Sequence, residues 1–127
     1  MPKESIDTLV SELTHEEEWR RMRATAACLA GGPRAVQALT QALQAGDVPL
    51  RIEAAAMLSR IKDPAAGVAL VNVLRDPEES VRQAAFAALE QMAGNVDDET
   101  AAGLVRNLHE SPDEDVRHRV RQLLGVI

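Results

Sequence analysis

Tyrosine is missing from this chain, and phenylalanine, tryptophan and cysteine occur once each, as Phe86, Trp19 and Cys28. So few aromatics suit a β-sandwich or barrel badly, because sheets draw on aromatic and β-branched residues. One cysteine excludes an intramolecular disulfide. Cys28 lies in an apolar stretch with no flanking histidine, which reads as a small buried core residue. Lysine is scarce, 2 against 12 arginines, and the net charge is -6. That balance argues against a general nucleic-acid binder, which needs a basic face. Long apolar runs are absent too. The start, MPKESIDTLV, has neither the apolar core of a signal peptide nor a membrane span, so the expected location is cytoplasmic, with no membrane partner.

What the 127 residues do contain is alanine and leucine, small and medium helix formers that suit closely packed helices. The length fits a single domain. Laid on itself, the chain repeats. Residues 49–61, 80–92 and 115–127 superpose: Leu50, Val81 and Val116 align, each followed by Arg51, Arg82 or Arg117. Ala54, Ala85 and Val120 come next, then Leu58, Leu89 and Leu124. An apolar residue every three or four positions makes one helical stripe. A second helix alternates with the first: Leu39, Leu70 and Leu104 align, as do Leu43, Leu74 and Leu108. One period earlier, Ile6, Leu9, Val10 and Leu13 match this second helix. A degenerate first-type helix follows around Trp19, Met22, Ala26 and Leu29.

The turns agree with that division. Thr14 and Glu17 have capping-box spacing. Gly31-Gly32-Pro33 ends one helix and starts the next. Asp47 with Pro49, Asp63-Pro64, Asp76-Pro77 and Ser111-Pro112 each precede a helix, and residues 93–100 form a longer turn. The expected order is B0-A1-B1-A2-B2-A3-B3-A4 in one domain, residues 1–127. It comprises a lone helix at 4–13, repeats at about 15–45, 48–75 and 79–109, and a terminal half-repeat at 114–127.

The segment DPEESVRQAAFAAL (76–89) resembles the HEAT-like repeat of bacterial proteins and phycobilin lyases, and the resemblance covers nearly the whole chain. It implies an all-α fold, a right-handed α-solenoid of antiparallel helical hairpins with about eight helices. It also implies that the B helices line an inner, concave surface.

Enzymatic readings find little support. Deoxyhypusine hydroxylase is a HEAT-like array holding iron with His-Glu dipeptides on its A helices, and at those places this chain has Ile52-Glu53, Gln83-Ala84 and His118-Arg119. One glutamate and one histidine, in different repeats, do not make a carboxylate and imidazole iron site. His15-Glu16-Glu17-Glu18-Trp19 lacks the second histidine of a zinc protease helix. Neither a catalytic, a metal nor a cofactor site is expected. The repeated arginines are expected to bond acidic or carbonyl groups of neighbouring turns, and only secondarily to bind phosphate. HEAT-like DNA glycosylases need a basic inner surface, which this charge balance disfavours.

If the B-helix leucines face the core, other columns face outward. Asp7, Gln37, Val68 and Ala102 form one, and Ser11, Gln41, Asn72 and Arg106 another; Gln44, Arg75 and His109 form a third. The expectation is a non-enzymatic scaffold binding another protein through Gln37, Gln41, Val68, Asn72, Arg75, Arg106 and His109. Local positive charge on an acidic chain suits an acidic peptide or helix. The alternative is an accessory or chromophore-lyase-like factor assisting modification of another protein. The last helix carries Val116, Val120, Leu123, Leu124, Val126 and Ile127. It is expected to pack through Val116, Val120 and Leu124 and to leave Leu123 and its neighbours for self-association.

Overall fold

The computed structural model describes residues 5–92 and 96–126, the side chains of 108 and 126 excepted, so Leu108, Val126 and Ile127 lie outside the described side chains. Eight helices follow one another, and the described residues contain no strand. Helix α1 (Ile6–Ser11) runs into a 3-10 turn (Glu12–Thr14). Then come α2 (Glu18–Gly31), α3 (Pro33–Ala45) and α4 (Val48–Ile61). A 3-10 turn (Pro64–Ala66) leads into α5 (Gly67–Val73), and α6 (Glu79–Gln91), α7 (Asp98–Glu110) and α8 (Glu114–Val126) complete the chain. Helices α1, α3, α5 and α7 neighbour one another in order, and α2, α4, α6 and α8 do the same, which makes an α-solenoid of two helical layers.

The core lies between the layers. Leu39, Leu58, Leu70, Leu74, Leu89 and Leu104 are all buried, as the two aligned stripes require. Cys28 is buried among them, and that burial pushes its thiol pKa up, away from the reactive thiolate.

Local chemistry sets the helix ends. The Asp47 carboxylate accepts from the Leu50 N–H at 3.0 Å, and Asp97 accepts from the Thr100 N–H at 2.8 Å. Gly32 turns the chain at φ 50°, a conformation open to glycine, and Pro33 opens α3. The Thr14–Glu17 capping box does not form: α2 starts at Glu18, and its N-cap residue Glu17 makes no side-chain cap bond. The imidazole Nδ1 of His15 accepts the Glu17 N–H instead, at 3.0 Å.

The repeated arginines close their own turns. A terminal guanidinium nitrogen of Arg82 donates to the Asp76 and Pro77 carbonyls at 2.7 and 3.1 Å. Arg117 donates to the Ser111 carbonyl at 2.6 Å and Arg51 to that of Gly46 at 2.8 Å. A fourth member, Arg21, does the same to His15 and Glu16, at 2.6 and 3.0 Å. Arg51 also reaches the next repeat, with Nε 3.1 Å from an Asp76 carboxylate oxygen. These guanidiniums are thus committed to the turns and to one link between repeats.

Two stripes differ from expectation. Helix α2 buries Ala24 and Cys28, so Trp19, Met22, Ala26 and Leu29 lie on the opposite, exposed side. Small residues allow close approach to α1 and the turn after it. Arg20 and Arg23, on the flanks of that stripe, reach Glu12 there at 3.4 and 2.7 Å. Helix α8 buries Val116, Val120 and Leu123, which share one stripe at 3.6 residues per turn, and leaves Leu124 half-buried beside them. Leu123 is therefore not available for an end contact.

Glu12 is buried, and its hydrogen bond from Arg23 holds its carboxyl below the ordinary 4.5, against the upward push of burial. A depressed folded-state pKa stabilises the fold above the unfolded value and is lost as pH falls through the folded one. The stability gap between wild type and Glu12→Gln should therefore be widest at neutral pH. It should narrow as pH drops below about 4.5. Urea midpoints taken at several pH values check this, and a pH-independent gap would refute the pairing.

Candidate interaction face

The outward columns of the B helices divide into two grooves. Between α1 and α3, Gln41 shares a shallow groove of about 290 Å³ with Asp7 and Ser11. Between α5 and α7 lies a smaller one of about 110 Å³, which brings together Val68, Asn72, Arg75 and Arg106. Gln37 and His109 are exposed but line neither.

Glycines set the depth of the second groove. A Cβ placed on Gly67 would stand 2.1 Å from Thr100 Oγ1, and one on Gly103 would stand 3.2 Å from Val71 Cγ1. Helices α5 and α7 therefore approach closely, and their outward side chains meet along the seam. Val68 and Asn72 rise from α5 four residues apart, on one helical face, and Arg75 stands in the turn that follows the helix. Arg106, Asn107 and Glu110 face them from α7.

Asn107 organises the floor, and sequence reasoning missed it. It is buried, accepts from Arg75 Nε at 2.8 Å, and donates through Nδ2 to the Gly103 carbonyl at 3.0 Å. In repeat register it replaces Val73 and Ala42, so an amide at an otherwise apolar position was the available signal. Arg75 also lies 3.7 Å from Glu110. It is thus half committed, whereas Arg106 is exposed and has no ion pair among the described residues. The groove joins an apolar wall, two amides, the Arg75–Glu110 pair and one cation, Arg106, with no ion pair among the described residues.

The two aromatics are placed elsewhere. Phe86 sits on α6 under the Arg119 guanidinium, 5.4 Å from its ring centre, and Trp19 is on α2. Among the described residues no three His, Cys, Asp or Glu side chains converge as a metal cluster. Nor is any described helix long and apolar enough to cross a membrane.

A family model of HEAT repeats matches residues 6–90 and again 36–125, overlapping over 36–90 and together reaching all eight helices. The chain belongs to the HEAT-repeat family. HEAT repeats generally serve as protein-interaction scaffolds and are typically non-enzymatic. A search of curated proteins finds no match. In this HEAT array the arginine of each A helix serves its own turn.

Proposed function

We infer that this HEAT-repeat protein is a binding scaffold whose partner lies across α5 and α7, and that the recognised element is an acidic peptide or helix. The observation that supports this is Arg106, an exposed cation with no ion pair among the described residues, beside a groove floored by the Arg75–Asn107 hydrogen bond. A carboxylate docking there would gain a charge-assisted bond from Arg106, and Asn72 would offer an amide next to it. Val68, only partly buried, gives a small apolar surface for the rest of the ligand. Gln37, Gln41 and His109 extend the face on either side.

Selection of a displayed random peptide library on the immobilised chain tests the reading. Acidic sequences should be enriched, and Arg106→Glu should weaken them at least about tenfold, since like charges then meet across the contact. Glu78→Arg, on the turn before α6, should leave them unchanged. Enrichment of neutral or basic peptides, or equal binding to Arg106→Glu, would refute the acidic-ligand assignment.

A further inference from the structure

Three of the four large apolar side chains exposed in the described structure lie on one helix, α2: Trp19 at 54%, Met22 at 63% and Leu29 at 37%. Met22 and Leu29, with Thr25 and Ala26, line a shallow groove of about 400 Å³ on the side of α2 away from the core, and Trp19 stands exposed on the same side of the helix. Scattered apolar residues on a surface are ordinary, but a contiguous stripe with an ordered tryptophan is the composition of an interface. Trp19 is held in place. Its indole N–H donates to Glu17 at 2.6 Å, and the guanidiniums of Arg20 and Arg23 stack over its ring at 5.2 and 5.3 Å. An exposed side chain already fixed in this way loses little entropy when it is covered.

We propose that the outer face of α2 binds a second copy of this chain, α2 against α2, antiparallel about a twofold axis between Thr25 and Ala26. The stripe is complementary to its own reverse, as an isologous contact requires. About that axis Met22 falls opposite Leu29, and the small Thr25 and Ala26 lie at the crossing, where two helices can come close. Trp19 falls opposite Gly32, around whose missing side chain there is open space within 4 Å. Glu18 falls opposite Pro33, at the start of α3, next to Arg34. Glu18 and Arg34 are both exposed, and neither makes an ion pair among the described residues. One helix face is a small contact, so the dimer is weak and concentration-dependent.

Sedimentation equilibrium of the full chain over a wide concentration range tests this. Trp19, the only tryptophan, gives a second readout: its emission should shift to shorter wavelength as the dimer forms. Met22→Glu or Leu29→Glu should each weaken dimerisation at least about tenfold, with helical circular dichroism unchanged. Glu18→Arg and Arg34→Glu should each weaken it, and combining them should restore it. A monomer at every concentration up to about 1 mM overturns the proposal. So does a dimer indifferent to Met22→Glu. Failure of the charge exchange to restore binding overturns the antiparallel register.

Discussion

Gly67→Ala should destabilise the protein by about 2 kcal/mol, although alanine is the better helix former. Gly67 is already helical at its φ of -59°, so the substitution relieves the chain of a flexible residue and on propensity alone would add up to about 1 kcal/mol. Packing opposes that gain. The new Cβ would lie 2.1 Å from Oγ1, 2.8 Å from Cγ2 and 3.0 Å from Cβ of Thr100, a fully buried β-branched residue. Thr100 is enclosed by the core, so relief of the overlap is expected to come from α5 moving off α7. Thr100→Ala removes the two nearest atoms, and the double variant should recover most of the loss, a coupling expected for residues in contact. Urea denaturation of the four proteins measures the cycle. A Gly67→Ala protein as stable as wild type would mean that the two helices do not approach so closely.

Leu58→Ala should cost more, about 4 kcal/mol, near the upper part of the range for a core leucine. Leu58 is fully buried on α4, the helix that packs against both α3 and α6, so neither neighbour can collapse into the void without leaving the other. At the end of the array, Leu124 on α8 is only half-buried. Leu124→Ala should cost about 1–2 kcal/mol, because less apolar area returns to water. Thermal unfolding of the two variants orders them. Equal losses would mean that the array has no mechanical centre.

The fold was legible because the repeat is written twice over, in the spacing of leucines and in the breakers between them. Alignment of Leu39, Leu70 and Leu104 located three B helices, and Asp47, Gly32 and Pro33 stand where the helices end and begin. Helix α2 was misphased for a physical reason. Periodicity assigns the more apolar side to the core, but here alanine, cysteine and glycine make the inward side, and the larger residues face out. Leu123 was lost to the same shortcut, since matching Leu124 to Leu58 and Leu89 overrode the helical angle from Val120. Of the outward columns, the structure gathers Val68, Asn72, Arg75 and Arg106 along one groove. Asn107 was missed because its column is apolar in two repeats and its role depends on a bond to Arg75, 32 positions away. Arg21 escaped notice because its helix was out of register.

The arginine that closes each turn also bears on how such a chain can grow. In four of four A helices, Arg21, Arg51, Arg82 and Arg117, the carbonyl it holds lies only five or six residues upstream. The lock and the turn it secures are therefore carried by one short stretch of coding sequence. A duplicated unit would arrive with its own turn already fastened, needing nothing from its neighbours to bend correctly. Lengthening the same stretch by even one residue would move the carbonyl away from the guanidinium. Ancestry in this lineage should thus show whole units copied or dropped freely, and insertions accumulating outside the stretches that these arginines span.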